Sequence, residues 1–382
     1  MGLFVDLLHV PICVTNDALE GIYKSLSDGH GHGDGIWKPH DSTLVRRLIE
    51  LFTERGLLRI DAVHQQYLGW RAGAFHNPTA ALVAPPGALH RWNGPELELT
   101  KLYLESIPPE KWTLEDHLLA IDYVVQRNLP ADELVAEADW LATKATMMGK
   151  VQANLEGKSL TAKQADAVLA ALPSSASSGV SLAGATKSVL TFARQRAAEH
   201  VTALSDSARH RMRSVVAADL EQRALGGVPP GTSSLETKLA DEFATLNRDW
   251  RRIAVTEAGD AQLQGYIASL KPGTKVQRLE RYEGACAFCR SIDGRVVTVV
   301  AADQPEKNPD TMIWPGKNNV GRSASPKKRV GDVLVDREPE EMWQIPAGLA
   351  HPHCRGRWVP TIQDEPGDDP EFAAQLKAIL AG

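Results

Sequence analysis

The sequence lacks any apolar run approaching the ~20 residues that a membrane-spanning helix requires, and no basic segment of a secretory signal precedes its first apolar residues. N-terminal myristoylation is not expected, because Asp6 stands where that pattern requires Ser or Thr. The net charge is also small. With 42 Lys and Arg against 48 Asp and Glu, it is −6 over 382 residues. We therefore predict a protein used in a cytoplasm, or in a particle assembled there, with no membrane partner. The overall net charge does not require nucleic acid as a partner.

Motifs of common enzymes are missing too. His-Glu-x-x-His, Gly-x-Ser-x-Gly and a phosphate-binding loop do not occur in the sequence. The zinc-deaminase pattern fails because there is no His-x-Glu and because Ala285 occupies the proline position before Cys-x-x-Cys. These absences predict that the protein is not an enzyme.

Cysteine is scarce, and its placement is uneven. Of four cysteines, three lie beyond residue 285. Cys13 stands alone in the apolar residues 10–14 and is predicted to be a buried structural thiol. Cys286 and Cys289 form Cys-x-x-Cys, which in a reducing compartment indicates a metal-binding turn or a redox pair rather than a disulfide.

What the sequence does contain is helical periodicity, within an ordinary soluble composition of 43% hydrophobic and 24% charged residues. Apolar spacing predicts helices at residues 44–52, 114–126, 133–148, 253–267 and 372–380, and two more between Leu190 and Leu220. Ser233 and Glu236 form a capping-box pattern that predicts another helix start. Residues 76–112, rich in Pro and Gly, predict a long connection with little regular structure. Strands are expected at residues 296–300 and 332–335.

These patterns predict a mainly α-helical protein with a small zinc-held α+β module near the C-terminus. A Ser-rich stretch at residues 173–179 predicts a flexible linker and suggests where the chain divides. The predicted parts are an N-terminal mixed or helical domain of unknown role, a linker, a helical part, a Cys/His module and an acidic tail, at residues 1–150, 151–184, 185–273, 274–362 and 363–382.

The most specific pattern is Cys286-x-x-Cys289 followed far downstream by His351-x-x-Cys354. Two residues between ligands let a tight turn direct both side chains at one ion, and two such turns complete a tetrahedron around Zn²⁺. Zinc adds folding energy at such sites, which suits a loop-rich segment with few core residues. Four protein ligands leave no open position for water, so the pattern predicts a structural ion.

Alternatives stay open at this site. The Cys-x-x-Cys pair could be redox-active, although the βαβ context of such pairs is absent. His351 could merely hydrogen-bond in a loop, and 61 residues separate it from Cys289, an unusual gap for a zinc finger. His353 is a second candidate ligand, but next to Cys354 in an extended segment it would point away from the ion, which favours His351.

The ordered motifs resemble the Mu F-like minor head proteins (phage head morphogenesis proteins) of tailed bacteriophages. The likeness covers about residues 185–360, and the residues that carry it are Thr256-Glu257, then Cys286, Cys289 and Asp293-Gly294, then His351-Pro352-His353-Cys354-Arg355. Two positions depart from the family. Val255 stands where an Arg often precedes Thr-Glu, and Gly356 stands where a further Cys often ends the last motif.

The resemblance implies a low-copy component of the phage head, found in the virion and assembled in the bacterial host cytoplasm. It implies association with the portal protein or the major capsid protein, possible contact with DNA, and a role in head assembly, DNA packaging or DNA ejection. No catalytic activity is implied. For Glu257 the resemblance implies a structural role, as a helix carboxylate that ties the helical unit to the Cys-rich module.

Two other functions remain as hypotheses. A zinc-dependent nucleic-acid-binding protein would use the basic residues between the two metal-binding turns, which are Lys317, Arg322, Lys327, Lys328 and Arg329. However, residues 281–360 hold 12 Lys and Arg against 10 Asp and Glu, so the local surplus of positive charge is small. A phage-delivered metalloenzyme or toxin would need an open metal position and a general base, and no motif supplies them.

Overall fold

The computed structural model describes residues 42–84, 91–155, 160–177, 184–226, 234–282, 284–352, 354–361 and 370–381. Cys13 and the acidic residues 364–369 lie outside these ranges, so the predictions made for them stay predictions. Within them, seven helices precede a small sheet: α1 (Thr43–Arg71), α2 (Gly94–Ser106), α3 (Leu114–Asn128), α4 (Ala131–Asn154), α5 (Ala162–Ala171), α6 (Gly184–Gly226) and α7 (Leu235–Ala268). None of the described helices is both long and apolar enough to cross a bilayer.

Helix α2 overturns the prediction that residues 76–112 form a long irregular connection. Its start is encoded locally, because the Asn93 side chain accepts a hydrogen bond from the Glu96 backbone N–H and the Glu96 carboxylate accepts one from Asn93 N–H. This reciprocal capping satisfies two amide groups at the helix start, and Pro95 in the first turn is compatible with helix geometry. The surrounding Pro and Gly residues concealed this signal.

The two long helices also differ from the sequence-based boundaries. Helix α6 is one helix of 43 residues, not two, because its buried stripe continues without a break through Leu204, Ala208 and Met212. Helix α7 runs for 34 residues, and Ser234 caps it by accepting a hydrogen bond from Thr237 N–H. The predicted cap, Ser233, lies outside the described residues, and the observed cap, Ser234, stands one position later.

Glycines allow two close helix contacts in this part of the protein. At the α4–α7 contact, a Cβ on Gly149 would lie 2.3 Å from the Gln262 carbonyl oxygen, and one on Gly265 would lie 2.2 Å from the Thr146 carbonyl oxygen. At the α1–α7 contact, the Trp250 ring covers Gly56 and its Nε1 donates to the Phe52 carbonyl oxygen at 3.0 Å. At the first contact the two helix backbones, and at the second a helix backbone and the Trp250 ring, approach to distances that any larger residue would prevent.

Buried apolar residues from α1 through most of α7 form one continuous core, which also receives Leu376 of the C-terminal helix α9 (Pro370–Ala381). The predicted linker at 151–184 contains α5, whose Ala165, Val168 and Leu169 are buried in this core. Residues on both sides of the predicted linker therefore pack together. The division into separate domains stays a prediction.

The C-terminal module is built on a four-stranded sheet with the order β3-β2-β1-β6. Its strands are β1 (Lys275–Leu279), β2 (Val296–Val299), β3 (Met312–Ile313) and β6 (Arg357–Pro360), and the short helix α8 (Ala287–Ile292) lies between β1 and β2 in the chain. Strand β1 pairs antiparallel with β2 and β6, and β2 pairs parallel with β3. A separate hairpin joins β4 (Lys327–Val330) to β5 (Val333–Asp336).

The module has its own small core, which includes the last turns of α7 through Leu263, Tyr266 and Ile267. Helix α7 thus belongs to both cores and joins the two parts of the protein. The fold is mainly helical with a small mixed sheet near the C-terminus, which confirms the predicted fold class. The strands expected near residues 296–300 and 332–335 are present as β2 and β5.

Candidate metal centre

Two tight turns carry the four predicted ligands. Cys286 caps α8, where its Sγ accepts the backbone N–H of Cys289 at 3.4 Å, and Cys289 lies in the first turn of that helix. The second turn precedes β6 and is closed by a hydrogen bond from Cys354 N–H to the His351 carbonyl oxygen at 3.1 Å. Because β1 pairs with both β2 and β6, the sheet brings these distant turns to one end of the module.

The ligand atoms of the four residues fall into two groups that share Cys289. His351 Nε2 lies 3.2 Å from the Sγ atoms of both Cys286 and Cys289, and the Sγ atoms of Cys289 and Cys354 are 3.8 Å apart. Cys286, Cys289 and His351 form one group whose ligand atoms all lie within 4.8 Å of one another. Glu280, Cys289 and Cys354 form a second such group, so Cys289 is common to both. These groups could hold a metal ion.

The histidine ring is oriented for ligation by one nitrogen. His351 Nδ1 lies 2.8 Å from the Pro352 carbonyl oxygen, which can accept but not donate a hydrogen bond. Nδ1 therefore carries a proton, and Nε2, the atom that faces the thiols, is free to bind an ion in the neutral imidazole. His353, the other candidate ligand, lies outside the described residues.

A buried charged group lies behind Cys354 that the sequence analysis did not single out. Arg278 is 0% exposed, donates from Nε to Glu280 Oε1 at 2.7 Å, and places Nη2 3.7 Å from Cys354 Sγ. Tyr282 Oη lies 3.6 Å from the same sulfur. Val276, Arg278 and Glu280 alternate along β1 and its extension and are all buried. In the sequence, the alternation of Val276, Arg278 and Glu280 just before Cys-x-x-Cys is too short to predict a strand with a buried charged face.

These neighbours change the acidity of the site. The hydrogen bond from Cys289 lowers the pKa of the Cys354 thiol well below its usual range, and the Arg278 guanidinium acts in the same direction against the effect of burial. Burial acts to raise the pKa of Cys286, but the Cys289 amide and His351 lower it overall. Burial raises the pKa of Glu280 to about 7. The same hydrogen bond, together with burial, raises the pKa of Cys289. The environment thus favours thiolate, the form that binds metals, at Cys286 and Cys354 but not at Cys289.

Aromatic rings cover the histidine side of the cluster. The Trp343 ring stacks on the His351 imidazole with centroids 5.6 Å apart and planes inclined by 19°. Phe288, between the two cysteines of α8, contacts the same tryptophan edge to face at 5.2 Å. This cover restricts the imidazole orientation and limits the access of water to the ligands.

Glu257 lies at the joint between the helices, although its contacts differ from those that the resemblance implied. It is 1% exposed, accepts Arg196 Nε of α6 at 2.7 Å and lies 3.1 Å from His200 Nδ1. Arg196 thus supplies a guanidinium, although Val255 replaces the Arg that the family often has. Other residues of α7 bond the module: Asp260, one turn later, accepts the Leu349 backbone N–H at 2.8 Å, and Gln264 accepts the Gly316 backbone N–H at 2.9 Å.

Gly356, which stands where the resemblance suggests a further Cys, faces the Glu280 carboxylate. A Cβ at this position would lie 2.0 Å from Glu280 Oε1. A cysteine could not be accommodated unless Glu280 moved. The presence of Glu280 and the absence of that cysteine are therefore linked.

No family model, curated protein or solved structure matches this chain. The site must therefore be interpreted from its own residues and their geometry.

Proposed function

We propose that this chain is a minor head protein of a tailed bacteriophage, in which a structural zinc ion closes the C-terminal module on a helical body. The observation that carries the proposal is the convergence of the three motifs that resemble Mu F-like proteins. Glu257 lies one helical turn before Asp260, which bonds the loop leading to His351. Asp293 accepts the Glu280 backbone N–H at 2.9 Å, behind Cys354. Each motif thus has a structural role around one joint.

Zinc is the ion that the donor set favours. Thiolates select soft or borderline ions, and three Cys with one His is a common set for structural zinc. Tetrahedral bonds of ~2.3 Å to sulfur and ~2.0 Å to nitrogen place ligand atoms about 3.5–3.8 Å apart. The separations of 3.2 Å from His351 Nε2 to two sulfurs and of 3.8 Å between the Cys289 and Cys354 sulfurs are close to these values. Cys354 does not belong to the group formed by Cys286, Cys289 and His351, so its sulfur would have to move towards that group for one ion to bind all four residues. Zinc would crosslink the turns, and four protein ligands would leave no position for a catalytic water.

The metal assignment is tested by elemental analysis of the purified full chain and of two matched histidine variants. We expect about one zinc per wild-type chain, loss of zinc from His351→Ala and Cys354→Ser, and retention in His353→Ala. An unchanged zinc content in His351→Ala, or none in the wild type, would contradict the assignment.

The head-protein role is tested in cells in which the phage assembles. We expect quantitative mass spectrometry to find this chain in purified heads at few copies, and deletion of the chain to reduce the yield of DNA-filled, infectious particles. Complementation with the wild type should restore that yield, whereas Cys354→Ser should not. The proposal fails if particles lack the chain and are equally infectious without it.

One observation favours DNA binding as a second candidate function. On the exposed hairpin, Lys327 and Arg329 are exposed on β4, while Lys328 pairs with Glu341 at 2.5 Å. Exposed cations of this kind can neutralise phosphates, and such binding weakens steeply with salt. If DNA is contacted here, Lys327→Ala with Arg329→Ala will weaken duplex binding in fluorescence anisotropy at low salt. An Asp332→Ala control should not weaken it.

A further inference from the structure

The segment that leads into His351 is held more tightly than its irregular conformation suggests. Residues 347–350 have no regular secondary structure, yet Ala347, Leu349 and Ala350 are 0%, 6% and 2% exposed. Buried main-chain N–H and C=O groups outside helices and strands need partners from elsewhere. Here the Ala347 N–H donates to the Lys317 carbonyl oxygen at 2.9 Å, and the other partners are side chains from different elements of the fold.

Four side chains bond this segment through its main chain. One is Asn319, which donates from Nδ2 to the Ala350 carbonyl oxygen at 3.2 Å, and the other three come from the sheet and the helical body. Trp358 of β6 donates from Nε1 to the Ala347 carbonyl oxygen at 2.9 Å. Arg278 of β1 donates from Nη1 to the Gly348 carbonyl oxygen at 3.0 Å. Asp260 of α7 accepts the Leu349 backbone N–H at 2.8 Å. Two of these three side chains belong to the sheet, and the third belongs to the helical body.

Asp260 also belongs to the contact between the two long helices. Its second carboxylate oxygen accepts Arg196 Nη2 of α6 at 2.8 Å, and the Asp260 residue is 7% exposed. The carboxylate lies so close to the chain that a Cβ on Gly348 would be 2.0 Å from Oδ1. One buried carboxylate therefore bridges α6, α7 and the segment that carries His351.

We propose that Asp260 is a positioning residue for the metal centre: it fixes Leu349 and thereby His351. This inference rests on the proposed metal site. Without the carboxylate, the buried Leu349 N–H would lose its partner and the segment would shift to find another. A ligand that must be repositioned on binding lowers metal affinity.

Three variants separate positioning from general stability. Asp260→Ala removes both interactions, and we expect about 10- to 100-fold weaker binding of Zn²⁺ or Co²⁺. Asp260→Asn keeps an oxygen that can accept Leu349 N–H, and we expect binding within a few-fold of the wild type. Glu257→Gln weakens the ion pair with the same Arg196 but does not reach the segment, so we expect it to reduce stability and leave metal affinity unchanged.

The readouts are competition with a chelating dye for the affinity, and the visible spectrum of the Co²⁺-loaded chain for the ligand geometry. Wild-type affinity and spectrum in Asp260→Ala would overturn the proposal, and so would equal weakening by Glu257→Gln. If Asp260→Ala does not fold, Gly348→Ala tests the same contact by displacing the carboxylate, and wild-type affinity there would also overturn it. Absence of metal from the wild type would instead overturn the metal site itself.

Discussion

The helical body and the C-terminal module are stabilised in different ways. In the described helices, the largest fully buried side chains are aromatic or aliphatic, among them Trp250, Tyr67 and Phe52. The corresponding set in the module includes Arg278 and Lys317, whose charged groups bond carbonyl oxygens, a carboxylate and a thiol. Burial of apolar surface stabilises the first part directly. Buried charges contribute little net stability even when paired, so we expect the module to depend on the proposed metal crosslink.

Metal removal should have the largest effect, because it should unfold the module and leave the helical body folded. Structural zinc contributes on the order of 10 kcal/mol to the folding of small modules, whereas the helical core contains none of the predicted ligands. We expect a chelator to abolish the protection of residues 275–360 from proteolysis while most of the far-ultraviolet helical signal remains. If both parts unfold together, they form one cooperative unit and the contrast between them is wrong.

Trp250→Ala should have the next largest effect, and on the helical body. The side chain is 0% exposed, stacks on Phe52 with centroids 4.9 Å apart and donates to the Phe52 carbonyl oxygen. Truncation of such a residue lowers the free energy of unfolding by about 3–5 kcal/mol, which urea denaturation would detect. The control is Phe192→Ala on α6, because Phe192 is 70% exposed and its loss should have little effect.

Gly265→Ala should have a smaller effect at the α4–α7 contact. The added methyl group would overlap the Thr146 backbone, and overpacking of this kind costs about 1–3 kcal/mol. Gly94→Ala is the matched control, because nothing lies within 4 Å of a Cβ there. Equal urea midpoints for the two variants would show that the helices can separate freely.

The smallest predicted effect is a pH dependence at the α6–α7 contact within the helical body. The hydrogen bond with Glu257 raises the pKa of His200 above its usual value of 6.5. Since the folded-state pKa is the higher one, the stabilisation is complete below pH 6.5 and is lost as the pH rises through the folded-state pKa. His200→Asn should therefore lower the urea midpoint at pH 5.5 more than at pH 8.5. His210→Asn, an exposed position on the same helix, should show no such difference.

The contrast also explains what could be predicted from the sequence. The helices α3, α4 and α7 follow apolar stripes with a period of three to four residues, which any local window reveals. The positions of Cys286, Cys289, His351 and Cys354 follow from ligand spacing in two short motifs. By comparison, β1 and β6 have four or five residues each and include charged side chains, so neither length nor alternation predicted them.

The supporting residues of the site were missed for a different reason. Arg278, Glu280 and Asp260 act through groups 70 to 89 residues away in the chain, and no local pattern encodes such contacts. A weak signal existed at Asp260, which lies three residues after Glu257 and therefore on the same helix face. Likewise, α2 depends on a capping box within a segment whose composition indicates a loop.

The long insert between the two metal-binding turns has an evolutionary consequence. The 61 residues between Cys289 and His351 include strands β2 and β3 of the module's sheet, and they also contain the β4–β5 hairpin, which is mostly exposed on both faces. Doubling the length of a flexible loop costs only about 0.6 kcal/mol in closure entropy. Selection can therefore exchange or lengthen this hairpin, and so alter what the surface recognises, while the anchoring turns and their ion-binding geometry are inherited unchanged.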